Sequence, residues 1–303
     1  MADFILSGFA DEADSNLDTQ IKILKEAEIS FVEMRGVDGQ SLIDCDNEKV
    51  FEIKTKLIRN NIKLSSVGSY IGKMKITDDF APHFDKFKRA LEIATILESP
   101  NMRIFSFFLP QDEKPELFRD EVMLRMNRLL DEASSTNVSL CHENEKDIYG
   151  DIPSRVLDLH QTLGPRLKGI FDPANYIQCG VNNISESMKL LLPYTEYMHI
   201  KDARIIDGHV VPAGYGDAEF KDILQQFSVL KGERVLSIEP HLANFVGYEN
   251  LGDDTSIKES REFNYSTNSE AFLFAAQSIK KILMDLEYHT NKKSKGGYQL
   301  WTK

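Results

Sequence analysis

Four times from residue 138 onward, a short apolar run ends abruptly in ionisable residues. The first run spans residues 138–145, and the other three span 167–172, 196–202 and 235–241. Short apolar runs of this kind are typical of buried parallel strands. In a closed parallel barrel the carboxyl ends of the strands form one mouth, where barrel enzymes carry their chemistry. The pattern therefore predicts that four side chains converge on one divalent metal ion: Glu143, Asp172, His199 and Glu239.

The alternation of strand and helix patterns extends over the whole chain. Apolar runs that predict strands begin at Phe4, Phe31, Ile62, Met102, Val138, Leu167, Tyr197 and Val235. Helical spacing of apolar residues predicts helices over 16–29, 50–58, 80–97, 116–133, 153–163, 185–192, 219–227 and 269–286. Eight such units without a break in composition favour one α/β domain, a (β/α)8 TIM barrel over residues 1–303. An open, doubly wound sheet has the same alternation, because strand order cannot be read from a sequence.

Two segments stand apart from this alternation. The stretch 241–268, after the eighth strand, is too long for an ordinary barrel loop and carries the aromatic residues Phe245, Tyr248, Phe263 and Tyr265. We interpret it as a lid over the active site, with a mobile surface loop as the alternative. Residues 289–303 are predicted to form a polar C-terminal tail, because they include the basic cluster 292–295.

Composition limits the partners of the chain. A formal net charge of −12 repels a phosphate-rich polymer over most of the surface, so nucleic acid is not expected as a partner. No apolar run approaches the ~20 residues of a membrane-spanning helix, and no nucleotide-binding glycine pattern follows a strand. The N-terminus lacks the regions of a signal peptide and the three cysteines form no disulfide framework, so a cytoplasmic location is expected.

The chemistry of the four strand-end residues narrows the choice of metal. Three carboxylates and one imidazole form a hard, mostly oxygen ligand set, which suits Mn²⁺, Mg²⁺ or Co²⁺ and also admits Zn²⁺. Thiolates are absent from the set, which argues against a structural zinc site. One such residue after a strand is commonly a helix cap or a turn former. It is the combination at four successive strand ends that predicts the metal.

The residues around these positions resemble those of a known family. Glu143 is followed by Phe171-Asp172-Pro173-Ala174-Asn175, His199-Ile200-Lys201-Asp202 and Ile238-Glu239-Pro240. This series is similar to that of the xylose isomerase-like TIM barrel superfamily, of the AP endonuclease family 2 type. The most similar branch is the sugar phosphate isomerase/epimerase group, with its ketose 3-epimerases and inositol-pathway enzymes. The resemblance implies that the four strand-end residues bind one metal ion. Relatives often pair, so a homodimer is one of the oligomeric states left open.

The chemistry implied by the resemblance is proton transfer at a carbon next to a carbonyl, in a ketose or a related sugar or polyol substrate. The metal would stabilise negative charge on the carbonyl oxygen as a Lewis acid. In such epimerases two glutamates flank the substrate, one removing a proton and the other returning one from the opposite face. Glu143 and Glu239 would take these catalytic roles while also contacting the metal. Because a metal-bound carboxylate is a weak base, the pocket would have to raise its basicity by excluding water.

Five further residues are candidates for contacts with the substrate: Glu33, Asn175, Lys201, Arg204 and His209. Glu33 closes the second strand, with a surface ion pair as the alternative. Asn175 stands where many relatives carry a histidine, which puts one substrate contact in question. Lys201 and Arg204 follow the seventh strand and suit an anionic or polyhydroxy group, with ordinary salt bridges as the alternative. His209 lies in the loop that follows them.

Three other functions stay open. Inosose-type dehydratases share this fold and metal and also begin with proton removal beside a carbonyl. An endonuclease IV-like phosphodiesterase would need additional histidines where this sequence has Leu64-Ser65-Ser66, Phe105-Ser106-Phe107 and Asn175, and the net charge of −12 also opposes it. A binding protein without turnover is disfavoured by the intact set of four ligands.

Overall fold

Parallel strands surrounded by helices form the body of the protein in the computed structural model, which describes residues 1–244, 262–291 and 296–303. Within these residues the barrel strands are β1 (Ala2–Gly8), β2 (Phe31–Met34), β3 (Lys63–Val67), β4 (Asn101–Ile104), β5 (Ser139–Glu143), β6 (Leu167–Phe171), β7 (Thr195–Ile200) and β8 (Gly232–Ile238). The α-helices are α1 (Leu17–Glu26), α2 (Asn47–Arg59), α3 (Phe80–Ile96), α4 (Arg119–Ala133), α5 (Pro153–Leu163), α6 (Pro173–Gln178), α7 (Ile184–Leu191), α8 (Phe220–Phe227) and α9 (Asn268–Asp285). Short 3-10 turns cover Ala10–Glu12, Leu42–Asp44, Pro115–Leu117, Gly164–Arg166 and Leu192–Tyr194. Two-residue strands pair Gly36–Val37 with Gln40–Ser41, and Asp202–Ala203 with Val210–Val211.

The order of the strands around the barrel follows their order in the chain. Hydrogen bonds link β1 to β8, and then β8, β7, β6, β5, β4, β3 and β2 in turn. β1 pairs with β8 in parallel, from Ala2 opposite Gly232 to Gly8 opposite Ile238. The two ends of this order, β1 and β2, lie against each other. The predicted (β/α)8 TIM barrel is therefore confirmed, and the alternative of an open sheet is wrong.

The apolar core lies between the barrel and the surrounding helices. Phe87, Leu129, Phe227 and Phe272 are fully buried on the inward faces of α3, α4, α8 and α9. Close packing of this kind resists small displacements, so the ends of the strands are held at fixed positions. None of the described helices is both long and apolar enough to span a bilayer.

Side-chain caps set the starts of several helices. Asn16, Asp46 and Asp79 accept hydrogen bonds from backbone N–H groups in the first turns of α1, α2 and α3. Asp172 does the same for α6, through the N–H of Asn175 at 2.9 Å. Each cap contributes roughly 0.5–2 kcal/mol. The cap at Asp172 also fixes the direction of a carboxylate at the barrel mouth.

Two differences between the predicted and observed helices have a clear local cause. The helix predicted over 116–133 begins at Arg119, because Pro115–Leu117 forms a separate 3-10 turn that starts with proline. The segment between β6 and β7 contains α6 in addition to the predicted helix. Asp172 and Pro173 start this extra helix directly after the strand, as a cap and a first-turn proline.

The C-terminal segment is a β-hairpin and not the polar tail predicted for 289–303. His289–Asn291 pairs with Leu300–Thr302 in antiparallel fashion, and Trp301 lies opposite Phe4 of β1. Trp301 is only 3% exposed, so burial of its indole attaches the hairpin to the barrel. The basic cluster 292–295 lies outside the described residues.

The segment interpreted as a lid is described only near its two ends. Residues 245–261, which include Phe245 and Tyr248, lie outside the described residues. The Phe263 ring lies 5.2 Å from the ring of Tyr215 and 6.4 Å from that of Phe274, measured between centroids. The end of this segment that leads into α9 therefore packs against the loop after β7 and against α9 itself.

Trp301→Ala is expected to lower the free energy of unfolding by about 3–5 kcal/mol, because it removes a large buried side chain between the hairpin and β1. The measurement is urea unfolding followed by circular dichroism. Ile206→Ala is the control, because Ile206 is 88% exposed and its truncation should change stability by less than about 0.5 kcal/mol. Equal stability of the two variants would contradict the docking of the hairpin.

Candidate metal centre

Four buried residues at the ends of neighbouring strands lie together on one side of the barrel mouth. Glu143 is the last residue of β5, Asp172 directly follows β6, His199 is next to last in β7 and Glu239 directly follows β8. None of the four is more than 1% exposed. Because parallel strands end at the same rim, these side chains are neighbours in space although they are far apart in sequence.

The four side chains bring one donor atom each to a common point. His199 Nδ1 lies 3.1 Å from Glu143 Oε1, 3.2 Å from Glu239 Oε2 and 3.7 Å from Asp172 Oδ2. One ligand atom of each residue lies within 4.8 Å of the others. A single ion with bonds of about 2.0–2.6 Å spans such a spacing. The structure thus brings together the four residues that the sequence predicts as metal ligands.

Each carboxylate offers one oxygen to this point and has its other oxygen held by a protein donor. Arg103 Nη1 donates to Glu143 Oε2 at 3.0 Å and to Glu239 Oε1 at 3.2 Å. The backbone N–H of Asn175 donates to Asp172 Oδ1 at 2.9 Å. The side chain of Asn175 also reaches the centre, where its Nδ2 donates to Glu143 Oε1 at 3.1 Å. The protein therefore orients the three inner oxygens before any ion is bound.

Lys201 lies beside the common point, as predicted for a residue of the site. Its Nζ is 2.9 Å from Asp172 Oδ2 and 3.2 Å from Glu239 Oε2. Among the described residues, Asp172 Oδ2 nevertheless receives no hydrogen bond of acceptable geometry. Buried carboxylate oxygens rarely lack such a partner. The donor set and this orphaned oxygen both fit a metal ion.

Glu33 holds His199 from the other side of the imidazole ring. Its Oε2 lies 3.2 Å from His199 Nε2, and its Oε1 accepts a 2.8 Å hydrogen bond from the Tyr197 hydroxyl. An N–H donated to Glu33 leaves the lone pair of Nδ1 for a metal, as in other carboxylate–histidine–metal arrangements. Glu33 is fully buried, which contradicts the surface ion pair. Its carboxylate faces the imidazole instead of the predicted substrate.

The ion pairs of Arg204 and His209 are with residues other than the four ligands, and their role as substrate contacts stays a prediction. Arg204 forms an ion pair with Glu262, and His209 Nδ1 lies 3.1 Å from Asp207 Oδ2. Both belong to the turn between the short strands at 202–203 and 210–211, in which Ile206 is 88% exposed. Pairing of those strands directs the turn into solvent, which the sequence does not reveal.

Two buried arginines complete the site and were not predicted. Arg103 lies inside β4 and is 2% exposed, and Arg35 directly follows β2 and is 9% exposed. Arg35 Nη1 donates at 3.2 Å to Glu239 Oε1, the oxygen that also accepts from Arg103. The sequence holds a signal for Arg103, because a charged residue within an apolar strand requires a partner of opposite charge.

The charges around the common point shift the pKa values of its members. Burial alone would lower the pKa of His199, but the carboxylates of Glu143, Glu33 and Glu239 raise it well above its usual range. Burial raises the pKa of Glu143, but the charges of His199 and Arg103 outweigh this effect and hold the pKa at about 2. In the metal-free protein the centre therefore carries a protonated imidazole beside the ionised carboxylates of Glu143 and Glu239.

Comparison with known families agrees with this architecture. The sequence matches the model of a family described as xylose isomerase-like TIM barrel over residues 21–266. No curated protein sequence matches the chain significantly.

Solved structures with the same fold include enzymes and a metal-bound protein. The chain is similar to the probable 3-DHS dehydratase AsbF from Bacillus anthracis, with a TM-score of 0.68 and 14% identity over 92% of this chain and 99% of that chain. It is similar to the IOLI protein with a binding zinc atom, with a TM-score of 0.68 and 14% identity over 93% and 98% of the two chains. It is also similar to D-psicose 3-epimerase from Clostridium cellulolyticum, solved with D-tagatose, with a TM-score of 0.68 and 11% identity over 92% and 99%. Identities this low show the shared fold alone.

Metal binding at pH 7 is expected to release about one proton, because the raised pKa keeps His199 charged in the metal-free protein and a metal requires it neutral. Below the folded pKa of His199, affinity should fall about tenfold for each unit that the pH is lowered. The measurement is calorimetric titration with Mn²⁺ in two buffers of different ionisation enthalpy. Binding without proton release would contradict the charged imidazole.

Glu33→Gln is expected to weaken Mn²⁺ affinity by about 10–100-fold, the usual effect of losing a carboxylate behind a ligating histidine. The same titration measures it. The control is Glu98→Gln, which changes an exposed glutamate paired with Lys54 and should bind like the wild type. If the two variants bind equally well, Glu33 does not orient His199.

Proposed function

The chain belongs to the xylose isomerase-like TIM barrel family, and on that basis we propose that it is a divalent-metal-dependent sugar isomerase or epimerase. Its reaction moves a proton at a carbon adjacent to the carbonyl of a ketose or a related polyol-derived substrate. The observation that carries the proposal is the convergence of four donor atoms at the barrel mouth: Glu143 Oε1, Asp172 Oδ2, His199 Nδ1 and Glu239 Oε2.

These four residues would hold one ion. The oxygen-rich donor set suits Mn²⁺, Mg²⁺ or Co²⁺ and is also compatible with Zn²⁺. A bound divalent ion supplies Lewis-acid stabilisation of negative charge on the carbonyl oxygen. The zinc atom bound by the IOLI protein, which has the same fold, supports a metal in this protein.

Glu143 and Glu239 are the proposed proton carriers. Both are buried, which excludes water from the carboxylates and strengthens their interaction with a substrate proton. Arg103 contacts both side chains, at 3.0 and 3.2 Å. A proton that arrives on one glutamate therefore leaves Arg103 paired with the other. No buried charge loses its partner during the transfer, which avoids a cost of several kcal/mol.

Lys201 is the proposed contact for a substrate oxygen. It is 3% exposed and faces Asp172 Oδ2 and Glu239 Oε2, the two oxygens that a metal would share. Once an ion takes these oxygens, the ammonium is less tightly paired and is available to donate to a hydroxyl or carbonyl group. Asn175 holds Glu143 from the neighbouring side, so we propose that it orients that carboxylate toward the substrate.

An inosose-type dehydratase is the second candidate. A buried ammonium beside the proton-carrying carboxylates is an acid that can protonate a leaving hydroxyl, and Lys201 has this position. Burial lowers the pKa of Lys201, but Asp172 and Glu239 raise it well above its usual range. An ion that shares their charge would reduce this effect and make Lys201 more acidic. The probable 3-DHS dehydratase of the same fold gives general support to this alternative.

The experiment that tests both candidates is metal analysis followed by deuterium exchange. Protein purified without chelator is analysed for metal and then incubated in D₂O with a panel of ketoses and inososes. Exchange at one carbon without loss of water supports the isomerase or epimerase, and loss of water alongside exchange supports the dehydratase. Protein that binds no metal, even after addition of Mn²⁺, would contradict the proposal.

Glu239→Gln is expected to lower kcat by about 10²–10⁴-fold, the usual contribution of a general acid or base. The amide retains one oxygen for the metal but carries no charge, so turnover is compared at a Mn²⁺ concentration that saturates both proteins. The control is Asp172→Ala, which should lose the metal itself. Turnover and metal content are measured on the same preparations. An active Glu239→Gln enzyme would exclude Glu239 as a proton carrier.

A further inference from the structure

A second cluster of metal-ligand residue types shares Glu239 with the first. Glu12, Glu239 and His241 each bring one ligand atom to within 4.8 Å of the others. His241 Nε2 lies 3.4 Å from Glu12 Oε1 and 3.6 Å from Glu239 Oε1. Centres with two metals commonly use such a shared carboxylate, with the ions about 3.5–4 Å apart. By residue type alone, these three side chains form a ligand set for a second metal ion.

The guanidinium of Arg35 already contacts the oxygens that a second ion would use. Its Nη2 donates to Glu12 Oε1 and its Nη1 donates to Glu239 Oε1, both at 3.2 Å. Two further bonds join it to Asp11, from Nε to Oδ2 at 2.8 Å and from Nη2 to Oδ1 at 3.2 Å. One permanent cation thus binds three carboxylates at this position.

The surroundings of Arg35 hold its guanidinium in this place. Its Cζ lies 4.7 Å from the centroid of the Phe9 ring, and Arg103 Cζ lies 4.9 Å from the same ring. The residue after Arg35 is Gly36, where a Cβ would lie 3.0 Å from Asp11 Oδ2. A side chain at position 36 would therefore crowd the Asp11 carboxylate, which would have to shift by a few tenths of an ångström. The close approach of residue 36 to Asp11 thus favours a glycine.

We propose that Arg35 takes the place of a second metal ion and so restricts the centre to one divalent ion. The proposal rests on the one-metal site of the proposed function. A second ion near Glu239 Oε1 would meet two guanidinium groups, because Arg103 Nη1 also lies 3.2 Å from that oxygen. Repulsion between like charges is strong at a site with little water. Arg35 would thereby direct the barrel to one-metal proton transfer and away from the multi-metal chemistry of phosphodiester hydrolysis.

The test is the stoichiometry of Mn²⁺ binding in Arg35→Gln and Arg35→Ala, compared with the wild type. Removing the cation frees Glu12 Oε1 and Glu239 Oε1, the two oxygens that face His241 Nε2, so the variants should bind two equivalents where the wild type binds one. Electron paramagnetic resonance gives an independent readout, because two Mn²⁺ ions about 3.5–4 Å apart are magnetically coupled. Circular dichroism checks that each variant is folded.

Two matched variants separate the role of Arg35 from a general loss of charge. Arg35→Lys keeps a cation at the position and should stay at one equivalent. Arg103→Met removes the other cation from Glu239 but leaves Arg35 in place, so it should gain no second equivalent. If Arg103→Met binds a second equivalent of Mn²⁺, net charge and not the position of Arg35 restricts the centre to one ion. That result would overturn the proposal.

The remaining outcomes also test whether Arg35 takes the place of a second metal ion. If both neutral Arg35 variants fold and bind only one Mn²⁺, Arg35 does not occupy a metal position. If they fail to fold, titration of the wild type to millimolar Mn²⁺ still applies, because two coupled ions there would overturn the proposal and a single ion would support it. A wild type that binds no metal would instead contradict the proposed function.

Discussion

Compensation of buried negative charge is the constraint on which the rest of the structure depends. Within the described residues, the mouth of the barrel holds carboxylates that are at most 6% exposed: Asp11, Glu12, Glu33, Glu143, Asp172 and Glu239. A buried carboxylate without a partner costs several kcal/mol. Cationic groups that lie within or directly after strands β2, β4 and β7 therefore face these acids: Arg35, Arg103, His199 and Lys201.

The balance of these charges explains why a divalent ion suits the site. Burial raises the pKa of Glu12 to about 8, against the opposing effect of Arg35. The buried carboxylates outnumber the cationic side chains Arg35, Arg103 and Lys201, and a divalent ion adds positive charge where these acids meet. In the metal-free protein the proton on His199 supplies part of the missing charge. Metal binding exchanges this proton for the ion, which links the affinity for metal to pH.

The barrel gives these groups their positions by simple local devices. Asp172 caps α6 through one oxygen and turns the other toward the centre. The end of β2 places Arg35 above Phe9 and beside Asp11, and the next residue is Gly36, whose missing Cβ leaves room for the Asp11 carboxylate. Tyr197 and His199 face the same side because they are alternate residues of β7, and Glu33 contacts both. Each side chain of the centre thus has one contact that orients it and another that is available for chemistry.

The amino-acid sequence alone predicts the alternation of strands and helices and the four candidate ligands, while closure of the sheet follows from the pairing of β1 with β8 and its contact with β2. The alternation of apolar runs and helical patterns predicts the barrel, and the point at which each apolar run stops identifies Glu143, Asp172, His199 and Glu239. Both are local signals, because strand ends are visible in a few consecutive residues. The same locality explains why these predictions agree with the structure.

The other residues of the centre are brought together by contacts between distant segments, which only the tertiary structure shows. Arg35 and Glu239 are 204 positions apart in the chain, and their hydrogen bond exists because β1 pairs with β8 and lies against β2. The same long-range closure buries Trp301 beside Phe4, in a segment that composition marks as polar. Arg204 follows His199 by five positions, yet it lies in the turn of a short hairpin and pairs with Glu262. Contacts of this kind depend on how distant segments meet in space, and no local pattern in a sequence contains that information.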